Sequence, residues 1–212
     1  MLDLPRWIED ASDARQRRFR EATQLVLRAI ARSSDLAPVM IMKGGVLLAI
    51  RLGYASRTNR PAMERLAAGL ASDVVRVDYS FNEWASDAEV EPLDGGALRV
   101  YPFADLVAEK LRSLLQQPIR RRARYQDLYD LTVLLASGPV TTEEERASIL
   151  MKLRAACANR VALDHQALSR PEVRYWTALE YDTALPALLR TNPPPFDAGF
   201  ALVLDFYESL PW

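Results

Sequence analysis

One cysteine, one histidine and three lysines among 212 residues exclude several kinds of chemistry. The single Cys157 rules out an internal disulfide framework and fits a reducing compartment. Its setting, LRAACANR on an expected helix, favours a buried, inert thiol over a nucleophile. With one Cys and one His (His165 in LDHQAL, expected on a surface helix) there is no soft-ligand metal site. The N-terminal stretch MLDLPRWIEDASDARQRR holds no apolar core of signal-peptide type. No run approaches the roughly 20 apolar residues of a membrane span, so a soluble, cytoplasmic protein without membrane contact is expected. A net charge of -1 and a pI of about 6.0 argue against a globally basic nucleic-acid coat; any RNA contact must be local.

Lysine is the most informative scarcity. Of 27 basic residues, 24 are Arg and three are Lys: Lys43, Lys110 and Lys152. Where generic positive charge is wanted, this chain writes Arg. Lys43 and Lys110 are then positions where a compact point charge is required and a planar fork does not fit.

What is present is a chain half hydrophobic, enough for a real core in one sizeable domain or two small ones. Its organising stretch is residues 101–135, YPFADLVAEKLRSLLQQPIRRRARYQDLYDLTVLL. On a helical wheel Phe103, Leu106, Val107, Leu111, Leu114 and Leu115 form one apolar stripe, with Lys110 in its middle. A core-facing ammonium must snorkel, find a carboxylate or serve a site, because an unpaired buried charge costs several kcal/mol. The next helix supplies partners, since Arg124, Asp127 and Asp130 follow at i, i+3 and i+6 along one flank. The basic run Arg120-Arg121-Arg122 between the two helices is either solvated or holds triphosphate or RNA backbone.

Elsewhere, residues 4–11 read as a helical turn anchored by Trp7 and Ile8. Ser12 is expected to cap a helix to about Arg32, with Phe19, Ala22, Val26, Ala29 and Ile30 inward and Arg15, Arg17, Arg18 and Arg20 outside. Pro38 precedes a strand over 39–42, the turn Lys43-Gly44-Gly45 and a helix over 46–52. That layout can present backbone N–H groups to a phosphate, although a tight strand-to-helix turn needs glycine anyway. Between Gly45 and Ser72 the only acidic residue is Glu64. A helix over 62–71 and a strand over 74–81 follow; Asp78 on that strand is an ordinary polar-face residue beside Arg76 or a metal ligand. Asp94-Gly95-Gly96 signals a hairpin joining 90–93 to 98–101.

From Gly138 onward the pattern is helical. Thr141 or Thr142 with Glu144 and Glu145 forms a capping box for a helix to about Asn159. Pro171 starts a helix with Tyr175, Trp176, Leu179 and Tyr181, and the last helix, 197–210, carries Phe200, Leu204, Phe206 and Tyr207. These aromatics read as core rather than as a base-stacking platform.

Four segments together carry a resemblance: Met42-Lys43-Gly44-Gly45-Val46-Leu47-Leu48, Val77-Asp78-Tyr79-Ser80-Phe81-Asn82-Glu83, Leu106-Val107-Ala108-Glu109-Lys110-Leu111, and Arg124-Tyr125-Gln126-Asp127-Leu128-Tyr129-Asp130-Leu131. In this order they resemble the AbiEii/AbiGii family of nucleotidyltransferase toxins, which are similar to DNA polymerase β-type transferases. The resemblance implies an α+β fold: a reduced nucleotidyltransferase-like α/β part over 1–101, with a small mixed sheet, and a helical part over 102–212.

It also implies transfer of a nucleoside monophosphate from NTP, with Mg2+, onto an RNA end such as tRNA. The setting would be a toxin–antitoxin or phage-defence system with a cognate antitoxin. Lys43, Gly44, Gly45 and Arg124 would contact the nucleotide. Lys110 would neutralise phosphate charge or help the transfer step, Asp127 would be its paired carboxylate or base, and Asp78, Glu109 and Asp130 would support them.

The family carries R-x-T-x-D-x-D soon after KGG. Forced alignment puts Arg60-Pro61-Ala62-Met63-Glu64-Arg65-Leu66 there; alternatively the chain passes near Gly53-Tyr54-Ala55 directly into a later part of the pattern, leaving residues 74–83 in register. The metal ligands are therefore unassigned. Two rival readings stand beside the enzyme: a degenerate module that binds nucleotide or antitoxin without transfer, and a helical interaction protein whose Lys110 only satisfies a buried ion pair.

Overall fold

Asp3 starts the first helix by accepting the Arg6 N–H at 3.0 Å, and α1 runs Leu4–Glu9 with Trp7 and Ile8 buried, as the sequence suggests. The computed structural model describes residues 2–52, 88–137, 140, 142–158, 160–186, 189 and 192–212. The expected helix over 62–71, the strand over 74–81 and Asp78 lie outside these residues.

Helix α2 is Ala14–Arg32, and its cap differs from expectation. Asp13 Oδ1 accepts the Gln16 N–H at 2.7 Å, while Gln16 Oε1 accepts the Ser12 N–H at 2.8 Å. Asp13 is therefore the capping residue, since a carboxylate at this position satisfies a helix N–H that has no partner within the helix.

The inward face is also rotated. Gln16, Arg20, Thr23, Leu27 and Ala31 are buried, Phe19, Ala22, Val26 and Ile30 are half-buried, and Ala29 is exposed. Arg20, expected outside, is 1% exposed. Its guanidinium donates to the Trp7 carbonyl and lies 5.2 Å from the Trp7 ring centroid. One planar fork can bond a carbonyl and stack on an indole at once, and a wheel that counts only apolar residues misses that.

Strand β1 is only Ile41–Met42. Val39 is exposed, in a turn where its N–H reaches the Leu36 carbonyl at 3.1 Å, so the expected four-residue strand is halved. Helix α3, Gly44–Leu52, buries Leu47, Leu48, Ala49 and Ile50. Strands β2 (Glu89–Leu93) and β3 (Gly96–Val100) form the hairpin.

Asp94 and Gly95 have φ of 44° and 81°, the left-handed two-residue loop that matches strand twist. The sheet order is β1-β3-β2, with β1 parallel and β2 antiparallel to β3. A Cβ at Gly96 would collide with the Ala31 carbonyl, so glycine there lets β3 lie against the end of α2. These elements, with residue 102 as their last, make one compact unit.

The described residues from Phe103 onward make the other. It comprises α4 (Phe103–Leu115), α5 (Gln117–Arg120), α6 (Tyr125–Ser137), α7 (Glu143–Cys157), α8 (Pro171–Ala178), α9 (Tyr181–Ala184) and α10 (Phe196–Glu208). Helix α4 packs against α6, α7 and α8. Its stripe of Leu106, Val107, Leu111, Leu114 and Leu115 is buried and Phe103 half-buried; each fully buried leucine contributes about 1.5–3 kcal/mol.

Thr142, not Thr141, closes the capping box: its Oγ1 accepts the Glu145 N–H at 3.1 Å and Glu145 Oε2 accepts the Thr142 N–H at 3.0 Å. Tyr181, Phe196 and Phe200 stack edge to face or tilted, with centroids 5.5 and 5.4 Å apart, and Tyr207 is fully buried. These are core aromatics, as expected. Tyr175 and Leu179 are exposed instead, and His165 is exposed in a turn rather than on a helix. The architecture is α+β, a small mixed sheet followed by helices. Among the described residues no helix is long and apolar enough to cross a membrane.

Candidate active site

Helices α4 and α6 make a hairpin because the chain reverses between them. Short α5 ends at Arg120, and Arg121 takes a left-handed backbone, φ 49°. Arg124 then stands one residue before α6, its carbonyl accepting the Asp127 N–H at 2.8 Å. Asp127 therefore sits in the first helical turn, where a carboxylate is favoured by the helix dipole.

The reversal brings four of the sequence candidates together. Lys110 Nζ lies 2.5 Å from Asp127 Oδ1 and 2.8 Å from Asp130 Oδ2. The other oxygen of Asp127, Oδ2, accepts from Arg124 Nε at 2.9 Å and from Ser113 Oγ at 2.7 Å. The Lys110 side chain is 12% exposed, Asp127 and Asp130 are buried, and the Arg124 side chain is 44% exposed. The ammonium is thus held inward between two acids, while Arg124 reaches Asp127 from the solvent side.

Burial alone would raise the Asp127 carboxyl. The charges of Lys110 and Arg124, with hydrogen bonds from Lys110 and Ser113, outweigh that and hold it far below the usual carboxylate range. Asp127 is therefore a firmly ionised anchor.

Glu109, although adjacent to Lys110 in sequence, is turned toward Arg112, 3.6 Å from its guanidinium. Gly44 has φ 76° and opens α3; a side chain at that φ is strained. Gly45 follows, exposed, in the first turn of α3, and Lys43 Nζ lies 5.6 Å from the Tyr101 ring centroid. This turn belongs to the first unit and the Lys110 cluster to the second.

The sequence reading missed the scaffold beneath Arg124. Gln117, 1% exposed, accepts the Arg124 N–H on Oε1 at 2.6 Å and donates through Nε2 to Thr177 Oγ1 at 2.8 Å and the Leu114 carbonyl at 3.3 Å. Ser113 and Gln117 follow Lys110 at i+3 and i+7, so helical spacing could have found both; nothing in the sequence marks Thr177. A second buried ion pair was also missed. Lys152 Nζ lies 2.7 Å from Asp105 Oδ2, with both side chains buried. Lys152 stands among Ile149, Leu150 and Leu153, the same signal that marks Lys110.

A divalent cation does not fit the Lys110 cluster. Both oxygens of Asp127 already accept from Lys110, Arg124 and Ser113, and the ammonium occupies the position between the two acids. Among the described residues no group of three or more His, Cys, Asp or Glu side chains could hold a metal ion. Cys157 is buried, and desolvation pushes its thiol up to about 11, in keeping with the inert reading.

No curated protein and no solved structure matches the chain. A family model does: that of the nucleotidyl transferase AbiEii toxin of type IV toxin–antitoxin systems, over residues 59–202. The match contains Lys110, Ser113, Gln117, Arg124, Asp127, Asp130 and Thr177 and begins after the Lys43-Gly44-Gly45 turn. The chain belongs to the AbiEii family of nucleotidyl transferase toxins.

Proposed function

We propose that this chain transfers a nucleoside monophosphate from NTP to an RNA acceptor, with the Lys110–Asp127–Arg124 cluster at the reacting centre and a cognate antitoxin as its protein partner. Residues 1–101 are the nucleotide-holding part, through Lys43, Gly44 and Gly45, and residues 102–212 carry the cluster. The observation that carries the reading is the inward ammonium of Lys110, fixed between Asp127 and Asp130 within the stretch that matches the family.

In the transfer, an acceptor hydroxyl oxygen bonds to the α-phosphorus. The bond from that phosphorus to the α,β-bridging oxygen breaks, pyrophosphate leaves with the electron pair, and the hydroxyl proton passes to solvent water. Such reactions need fixed cations on the phosphate oxygens more than covalent help from the protein. Lys110 and Arg124 are two such cations, pre-oriented by one carboxylate. A carboxylate held so far below its usual range is a weak base, so Asp127 serves as the paired anchor rather than as the proton acceptor.

The test is incubation of the protein with α-labelled NTP, magnesium and cellular RNA. Label in RNA, lost in Lys110→Ala and Asp127→Ala variants that remain folded, supports transfer. NTP binding with no labelled RNA points instead to a degenerate binding module. Neither binding nor transfer, with Lys110→Met folded or more stable, leaves a helical interaction protein.

A further inference from the structure

A cluster of arginines beside the site is not accounted for by the fold. Arg120, Arg121 and Arg122 are exposed at the turn between α4 and α6, Arg160 is exposed beyond α7, and Arg112 is buried on α4. Among the described residues Arg120, Arg121, Arg122 and Arg160 make no ion pair. Arg112 donates to Gln116 Oε1 at 3.0 Å, and its nearest carboxylate, Glu109, is 3.6 Å away. Partial burial of Arg120, and then the charges of Arg112, Arg124, Arg160 and Arg122, lower its pKa. These guanidinium groups come from α4, α5, the turn and the segment after α7, and α4 packs directly against α7; the mutual repulsion of their charges agrees with that convergence. In a chain of net charge -1, this concentration of one sign is local.

Arg124 joins the cluster to the site. Its Nε is spent on Asp127 and Ser113. Its terminal nitrogens make no hydrogen bond among the described residues, and the side chain is nearly half exposed. Gln117 fixes the backbone at this junction. Planar forks of this kind match phosphate oxygens two at a time. Groups spread over four stretches of chain suit a strand of repeating phosphates better than one compact triphosphate.

We infer that Arg120, Arg122 and Arg160 bind the phosphodiester backbone of a single-stranded RNA end and lead it to Arg124 and Lys110. This rests on the RNA-acceptor reading above and gives that acceptor a place to bind. Recognition by backbone charge carries no sequence information, so acceptor identity is read elsewhere.

The experiment is fluorescence anisotropy of a synthetic RNA hairpin with a single-stranded 3′ tail, across a series of KCl concentrations. The proteins are the full chain, Arg120→Gln/Arg122→Gln and Arg160→Gln, with ATP, CTP, GTP and UTP binding measured separately. All three positions are exposed, so unchanged melting is expected and is checked first. The expected result is a shallower dependence of log affinity on log salt, by about 0.7 per lost contact on a single strand and about 1.4 for the double variant, with NTP binding unchanged.

An unaltered slope and affinity overturns the inference. So does a loss of NTP affinity with RNA binding intact, which assigns the arginines to triphosphate, and so does an unmodified chain that binds no RNA. The expected slope change without nucleotide transfer upholds this surface and refutes only the transfer reading.

Discussion

Asp105 and Lys152 meet in the core of the helical unit, Nζ to Oδ2 at 2.7 Å, one on α4 and the other on α7. A turn and a half further along α4, Lys110 makes its own pair with Asp127. The two lysine pairs share a chemistry and differ in setting: the first is closed off in the core, while the second is joined by Arg124, which opens to solvent.

The Asp105–Lys152 pair is structural. Lys152→Ala leaves a buried carboxylate without its ammonium and is expected to cost about 3–5 kcal/mol in urea unfolding. Asp105→Leu combined with Lys152→Met, which removes both charges at similar volume, returns stability to near that of the unaltered protein. A double variant as unstable as Lys152→Ala would contradict this.

At Lys110 the response depends on pH. Asp127 is held below its ordinary value of 3.8, so its contribution is complete above that value. It is lost as pH falls from that value toward the lower folded-state one. Lys110→Met leaves Asp127 and Asp130 facing each other with like charge. It is expected to cost about 3 kcal/mol at neutral pH and less in acid, where protonation relieves the repulsion. Urea titrations at neutral pH and below pH 3.8 measure both trends; a Lys110→Met penalty that does not shrink in acid would refute the shared-ammonium account.

Gln117 is expected to act through Arg124. Gln117→Ala removes the acceptor of the Arg124 N–H and the donor to Thr177, and each buried polar group so stranded costs about 1–3 kcal/mol. The readout specific to Arg124 is amide exchange: its N–H, protected in the unaltered protein, exchanges faster in Gln117→Ala, while amides in the middle of α10 keep their protection.

Gly44→Ala tests the turn before α3. A Cβ there meets nothing within 4 Å, so the penalty comes only from a left-handed backbone, about 1–2 kcal/mol for a residue with a side chain. Thermal unfolding of this variant should show that loss.

Much of the site could be read from the chain because it obeys short-range rules. A lysine inside an apolar helical stripe needs an acid, and the only acids at helical spacing on the next helix were Asp127 and Asp130. The hairpin at Asp94-Gly95 was equally readable, since left-handed turns have few permitted sequences. Among the readings that failed, the plainest involved polar side chains satisfied at a distance. Arg20 faces inward because Trp7, thirteen residues earlier, offers a carbonyl and an indole face. Gln117 is structural because Thr177, sixty residues later, accepts from it.

By itself, the sequence determined the helical periodicity, the hairpin and the demand for a counter-charge at Lys110, because these follow from backbone geometry and the cost of burying charge, while the α+β class came with the family resemblance. Only the tertiary structure decided that Ser113 and Arg124 share the second oxygen of Asp127, that Glu109 turns away to Arg112, and that Lys152 finds Asp105. Those are choices among several chemically adequate partners, and the packing of α4 against α6 and α7 sets which ones come within reach.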